Sequence, residues 1–313
     1  MSNLQNAVRD YLALRRSVGF KLIQHGVWLQ EFVDFMAETG SSRITTALAV
    51  KWATRYTHHK VHRIAARLSV VRGFARHWSA TDPVTEVPPP NLIPYRPARA
   101  VPYFYSNAEI KNLLAAAKSM KAQNELRPWT YYCLFGLLSV TGLRISEARN
   151  LRTGDLDWKE SILTVKDTKF GKSRLVPIHS STRKVLAEYA RRRNQLFEEG
   201  AESHFFVNKN GRPLDSGDIY RTFYVLSRQI GLRGVSASHG PRIHDFRHRF
   251  AVETLLNWYR SGDDAQRRLP ILSTFLGHAQ VTDTYWYLTG TPRLLGAAAK
   301  RLEKRWEGLN AGR

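Results

Sequence analysis

Leu22, Ile23, Val27, Trp28, Phe32 and Phe35 recur at helical spacing, and Gly40 follows as a stop. A second apolar stripe runs through Val61, Ile64, Ala65, Leu68, Val71, Ala75 and Trp78. Lys60, Arg63 and Arg67 border one edge of it, and Arg72 and Arg76 the other. Residues 1–81 accordingly read as a module of four helices. Pro83, Pro88, Pro89, Pro90, Pro94, Pro97 and Pro102 then deny a helix its donors, which predicts a stiff, extended linker over 82–104. Ser106 with Glu109 three positions on has the form of a capping box, opening a mainly helical stretch that reaches Leu156. Within it, Trp129–Leu143 is uncharged and bounded by Arg127 and Arg144; it is too short for a membrane span and predicts a buried helix. Alternation in Ser161–Val165 and Arg174–Ile178 predicts two strands around a turn at Thr168–Lys172. Helices resume near Ser181, with a short hairpin signal at Asn210-Gly211. Leu294, Leu295, Ala298, Leu302 and Trp306 predict an amphipathic helix at the end of a domain covering 105–313.

Charge changes this picture more than size does. The 313 residues hold 48 Lys+Arg against 26 Asp+Glu, a net +22, and such an excess attracts polyanions, nucleic acid above all. Residues 1–100 carry 14 basic and 6 acidic side chains, net +8, and the remainder 34 and 20, net +14. Both halves are therefore expected to face the same polyanion. The arginines flanking the second stripe suit a solvated helix border by themselves; the charge of the whole module turns the expectation towards DNA. Cys133 is the only cysteine, so no internal disulfide can form, which suits a reducing cytoplasm. Charges throughout residues 1–20 argue against a secretory signal.

Four short stretches carry candidate chemistry, and their order matters as much as their content. They are Thr141-Gly142-Leu143-Arg144-Ile145-Ser146-Glu147; the turn Lys169-Phe170-Gly171-Lys172-Ser173-Arg174 leading into Leu175-Val176-Pro177; His244-Asp245-Phe246-Arg247; and Leu276-Gly277-His278, followed nine positions later by Tyr287. Each is a weak signal alone, and their ordered combination is a strong one.

In these motifs the sequence resembles the tyrosine recombinase (phage integrase) family. The motifs span roughly 106–290, and the order of helical module, linker and second module extends the likeness over nearly the whole chain. The resemblance implies a mainly α fold: an N-terminal four-helix core-binding (SAM-like) domain, and a mostly helical catalytic domain with a small antiparallel sheet. It implies an enzyme that cuts and rejoins double-stranded DNA at specific recombination sites through a 3′-phosphotyrosine. It also implies a homo-tetramer, or a hetero-tetramer with related recombinases, on the DNA.

Carried over residue by residue, Arg144 and Arg247 match the two motif arginines, whose planar forks grip phosphate oxygens and stabilise transition-state charge. His244 becomes a general base or proton shuttle. Lys169 becomes the acid that protonates the departing 5′ oxygen, with Lys172 as competitor. His278 becomes a donor to a nonbridging oxygen, and Tyr287 the nucleophile, with Tyr285 as rival. Glu147 stands where the family often has a supporting acid. The segment Trp258–Asp264 is several residues longer than in compact family members, which leaves its loop geometry open. His58, His59 and His62, like His244 and His248, invite a metal site, but neither group has a cysteine or glutamate placed as in a zinc hydrolase. No cofactor or metal is expected. Two other readings stay open: a type IB topoisomerase with the same cleavage chemistry, and a catalytically silent DNA-binding regulator. The latter would lack a reacting residue, whereas all six positions are filled here.

Overall fold

The computed structural model describes residues 3–56, 60–95, 101–122, 125–166, 173–197, 203–289 and 292–310. The chain divides into two compact units, 1–100 and 101–313.

The first unit holds helices α1 (Asn3–Ser17), α2 (Ile23–Glu38), α3 (Thr46–Thr54) and α4 (Val61–Trp78). The expected α2 stripe holds at Phe32 and Phe35 and fails nearer its start. The buried residues are Leu29, Phe32, Val33, Phe35 and Met36, whereas Ile23 and Val27 are 74% and 50% exposed and Leu22 is the left-handed residue before the helix. Stepping back from Leu29 in threes and fours lands on Gly26, His25 and Leu22, so Ile23 and Val27 fall on the flank. In α4 the correction concerns Arg67. It is not a solvated border but a core residue, 1% exposed, with its guanidinium 3.8 Å from the Trp52 ring centroid and paired with Glu31 at 2.8 Å. Phe74, which the stripe omitted, is fully buried in the core of the same unit.

The proline-rich stretch also differs from a free extended linker in its first half. Glu86 N–H donates to the Ile44 carbonyl at 2.9 Å, and Arg72 donates to the carbonyls of Pro88 and Pro89 at 2.8 and 2.9 Å. A proline lacks an N–H but keeps its acceptor, and the arginine uses it. Residues 82–95 thus belong to the first unit.

The second unit begins with α5 (Asn107–Lys118), opened by the expected Ser106–Glu109 capping box. The uncharged run forms α6 (Leu126–Thr141), buried against α5, with α8 (Ser180–Asn194) and α10 (Asp245–Arg260) also packed on it. Between α6 and the expected strands lie a short helix, α7 (Ile145–Asn150), and a strand too brief for periodicity to reveal, β1 (Leu156–Asp157). With β2 (Ile162–Val165) and β3 (Arg174–Pro177) it makes an antiparallel sheet of order β1-β2-β3. The register pairs Val165 with Arg174, so β2 and β3 are the two arms of the expected hairpin; its turn, including Lys169 and Lys172, lies outside the described residues. The Asn210-Gly211 turn closes an isolated bridge between Val207 and Pro213.

Helices α9 (Ser216–Gln229), α11 (Ala265–Leu276), α12 (Thr282–Thr289) and α13 (Pro292–Asn310) complete the unit. The long segment before α11 is resolved simply: α10 continues to Arg260, and the Asp264 side chain caps α11 by accepting from the N–H groups of Gln266 and Arg267. The expected α13 stripe splits. Leu294 is buried beside α10 and α12, while Leu295, Leu302 and Trp306 are about half exposed. Among the described residues no helix is long and apolar enough to cross a membrane.

Candidate active site

Two helix ends organise the site. Helix α6 stops at Gly142, with φ 61°, and α11 stops at Gly277, with φ 69°. Both glycines are required twice over, by the left-handed backbone and by space. A Cβ on Gly142 would lie 2.8 Å from Phe250, and one on Gly277 2.7 Å from Arg174. After α11, the N–H of Gly277 reaches the Thr274 carbonyl at 2.9 Å and that of His278 the Ser273 carbonyl at 3.0 Å. This closure satisfies those two acceptors and leaves the next three carbonyls of the chain without helical partners.

Three arginines fill them, one each. Arg174 Nε donates to the Phe275 carbonyl at 2.7 Å, Arg247 Nη2 to Leu276 at 2.6 Å, and Arg144 Nη2 to Gly277 at 3.1 Å. Cations at the negative end of a helix gain ~0.3–1 kcal/mol each, and up to ~2 kcal/mol where partly buried. That field, with the carbonyl oxygens, offsets the mutual repulsion of guanidinium groups gathered in one place. Arg247 also donates to the Gly142 carbonyl at 2.9 Å, so it bridges the two glycine-ended helices. Glu147 is the counter-charge. Its carboxylate accepts from Arg144 Nη1 at 2.8 Å and from Arg174 Nη1 and Nη2 at 3.1 and 2.8 Å. It also accepts from the Arg144 backbone N–H, which caps α7.

The electrostatics follow this packing. Burial pushes the Glu147 carboxyl up, but hydrogen bonds and charge from Arg174, with those from Arg144, outweigh it and hold the group below its usual range. Burial, then the charge of Arg144, brings Arg247 down to about 10; it remains protonated at neutral pH. Arg247 is only 2% exposed, whereas the Arg144 side chain keeps 29% of its surface open.

The histidines and tyrosines converge on the same place. His278 follows Gly277, its Nδ1 2.8 Å from Thr284 Oγ1, and its ring lies 6.0 Å from the Tyr287 ring at an interplanar angle of 15°. Burial, then the charges of Arg247 and Arg144, push His278 down to about 4. Tyr287 is 4% exposed and acts electrostatically on Arg247; Tyr285, its rival, is 49% exposed. His244 sits at the N-terminus of α10, and the crowding of protein around it, then the charge of Arg247, lowers its pKa.

Arg144, His244, Arg247, His278 and Tyr287, far apart in sequence, are thus brought to one place; Lys169 lies outside the described residues. Three further residues belong to the cluster. Thr284 orients His278. His248 packs at ring-centroid distances of 4.8 Å from His244 and 5.6 Å from Tyr287. Burial, then His244, push it down to about 4. Its sequence signal was the four-residue step from His244, there considered only for metal binding. Arg174 shares a strand face with Val176, which is fully buried, and a charge on a buried face needs a counter-charge; that alternation was legible in the sequence. Nothing in the spacing pointed to Thr284.

Residues 104–292 match the phage integrase family. The chain is 52% identical, over 98% of its length and 99% of the relative's, to a Sinorhizobium fredii protein named integrase/recombinase y4rB. Tyrosine recombinase XerC of Chlamydia trachomatis is 27% identical over 74% of this chain and 68% of its own. Among solved structures, the Tn1549 transposon integrase in complex with transposon right end DNA has a TM-score of 0.64 at 16% identity, covering 95% of this chain and 98% of that one. The chain belongs to the phage integrase family of tyrosine recombinases.

Proposed function

We propose that the protein cuts and rejoins double-stranded DNA at specific sites, using Tyr287 as nucleophile and the arginine cluster as phosphate cradle. The observation that carries the reading is the convergence of Arg144, Arg247 and His278 on the end of α11, beside the Tyr287 ring. The Tyr287 oxygen attacks phosphorus and the bond to the 5′ oxygen breaks. The phenolic proton passes to a neutral imidazole, His244 in our assignment, and the leaving oxygen takes a proton from Lys169. The products are a 3′-phosphotyrosine and a 5′ hydroxyl, and attack by a second strand's hydroxyl reverses the step with no external energy source. Arg144 and Arg247 stabilise the developing charge, and His278 donates to a nonbridging oxygen. Tyr287 and Arg247 are almost wholly buried, and Arg144 is the member of the cradle that keeps an open face.

The net +22 supports DNA as partner, and assembly as a tetramer on two sites follows the same reading. So does a cytoplasmic location, where the lone buried Cys133 stays reduced. The test is a pair of plasmids, one with two copies of the DNA flanking the gene and one with none, incubated in EDTA. Exchange between the copies is expected. Relaxation of both plasmids without exchange would instead support the topoisomerase alternative.

A further inference from the structure

We infer that Arg174 is a positioning residue of the cleavage reaction: it neutralises Glu147 so that Arg144 keeps its charge for the phosphate. The inference rests on the function proposed above, and it adds a residue to which no role has been given there.

Hydrogen bonding, not burial, separates Arg174 from Arg144 and Arg247. Those two donate through Nη1 and Nη2, whereas in Arg174 Nε, Nη1 and Nη2 are all engaged: Nε on the Phe275 carbonyl and the two others on the two oxygens of Glu147. With Nε on a carbonyl and the Nη1–Nη2 edge on a carboxylate, three of the five N–H donors are used and no free two-nitrogen edge is left to grip a phosphate bidentately. Its plane lies against the backbone of Gly277, where an added Cβ would meet Nη1 at 2.7 Å and Cζ at 2.9 Å. Arg174 therefore acts through its neighbours.

Charge explains what it does. Arg144 and Arg174 share Glu147, so the trio carries one net positive charge, and Arg247 adds a second. Remove Arg174, and Glu147 is left to Arg144 alone. The pair is then neutral at the place where negative charge builds on the nonbridging oxygens. Position is coupled to this as well. Arg174 begins β3, five residues after Lys169, and binds both the α11 terminus that precedes His278 and the carboxylate that holds Arg144. One side chain thus ties the hairpin of the proposed acid to both phosphate-binding arms.

The experiment measures single-turnover formation of the covalent complex on a nicked suicide substrate, with DNA affinity measured separately. Two substrates are compared: the ordinary phosphodiester, and a methylphosphonate whose missing negative charge relieves the need for a cationic cradle. Arg174→Gln should slow cleavage of the phosphodiester by about 100-fold or more, the scale of losing one preorganised charge-stabilising donor. Its affinity should stay within about threefold, and its deficit should shrink to less than about tenfold on the methylphosphonate. Because Arg174→Gln leaves the buried Glu147 with one of its two arginine partners, the fold is checked by thermal unfolding. The neutral pair Glu147→Gln/Arg174→Gln covers the case where the single variant fails to fold. With no carboxylate left to neutralise, it should cleave within about threefold of Glu147→Gln alone.

Wild-type rates in Arg174→Gln would overturn the assignment. So would equal losses on both substrates, or a double variant much slower than Glu147→Gln, since these are what a merely structural residue gives. Absence of any covalent complex with the wild-type protein would sink the proposed function itself, a distinct outcome.

Discussion

The imidazole of His278 and the phenol of Tyr287 lie nearly parallel, 6.0 Å between centroids, while His278 Nδ1 is 2.8 Å from the hydroxyl of Thr284. Thr284 and Tyr287 are three apart on α12, so one short helix sets both the orientation of the imidazole and the place of the phenol. Thr284→Val keeps the shape of this fully buried residue and deletes the bond. Single-turnover cleavage should fall by about tenfold, the equivalent of one hydrogen bond of ~1.4 kcal/mol. An unchanged rate would mean that His278 is held by other means.

The histidine pKa values give a pH dependence with a definite sign. His278 is depressed to about 4 from an ordinary 6.5, so between those values the unfolded chain binds more protons than the folded one. The stabilising contribution of the neutral ring is present above 6.5 and is lost as pH falls towards 4. His248, also depressed to about 4, acts in the same direction. Thermal unfolding of the DNA-free protein should therefore move to lower temperature across this window. In NMR titrations His278 should stay neutral at pH 6, and DNA phosphate should raise its pKa. Titration of His278 near 6.5 in the free protein would contradict the packing described.

Gly277 and Gly262 both have positive φ, 69° and 79°, but only Gly277 has Arg174 against it; nothing lies within 4 Å of a Cβ at Gly262. Alanine at either should cost about 1 kcal/mol for the left-handed backbone. Gly277→Ala should in addition lower the cleavage rate by more than about tenfold through the displaced Arg174 and His278. Equal effects of the two substitutions on cleavage would show that the clash is absorbed without moving the site.

Much of this was legible in the sequence because much of it is local. The capping box at Ser106, the uncharged α6 and the stop at Gly40 rest on neighbours three or four residues away, and the arms of the β2–β3 hairpin pair within one short stretch, from Val165 with Arg174 to Ile162 with Pro177. The candidate residues were chosen by motif order, and the structure brings the described ones together. What escaped depends on distant partners. Arg67 looked like a solvated border because Glu31 and Trp52, which bury it, belong to other helices. Arg174 finds its acceptors 27 residues before it and 101 after. Strand β1 is only two residues long, below the reach of alternation. In α13 periodicity marked an apolar face correctly, but periodicity does not say what covers a face, and half of this one is open.

Lys169 is tested through its leaving group. Lys169→Ala should cripple cleavage of an ordinary phosphodiester and recover most of the rate when the bridging 5′ oxygen is replaced by sulfur, which departs without a proton. Arg144→Ala should show no such rescue, because its loss concerns the nonbridging oxygens. Rescue of Lys172→Ala in place of Lys169→Ala would move the acid to the other lysine of the turn.

The bond to DNA is expected to form at Tyr287. The most direct measurement traps the covalent complex on a suicide substrate in EDTA, digests protein and DNA, and maps the modified peptide by mass spectrometry. The expected result is a nucleotide joined through its 3′ phosphate to Tyr287, with Tyr287→Phe giving no adduct while binding DNA as before. An adduct on Tyr285, persistence of the adduct in Tyr287→Phe, or cleavage that stops in chelator and returns with a divalent ion would contradict the account.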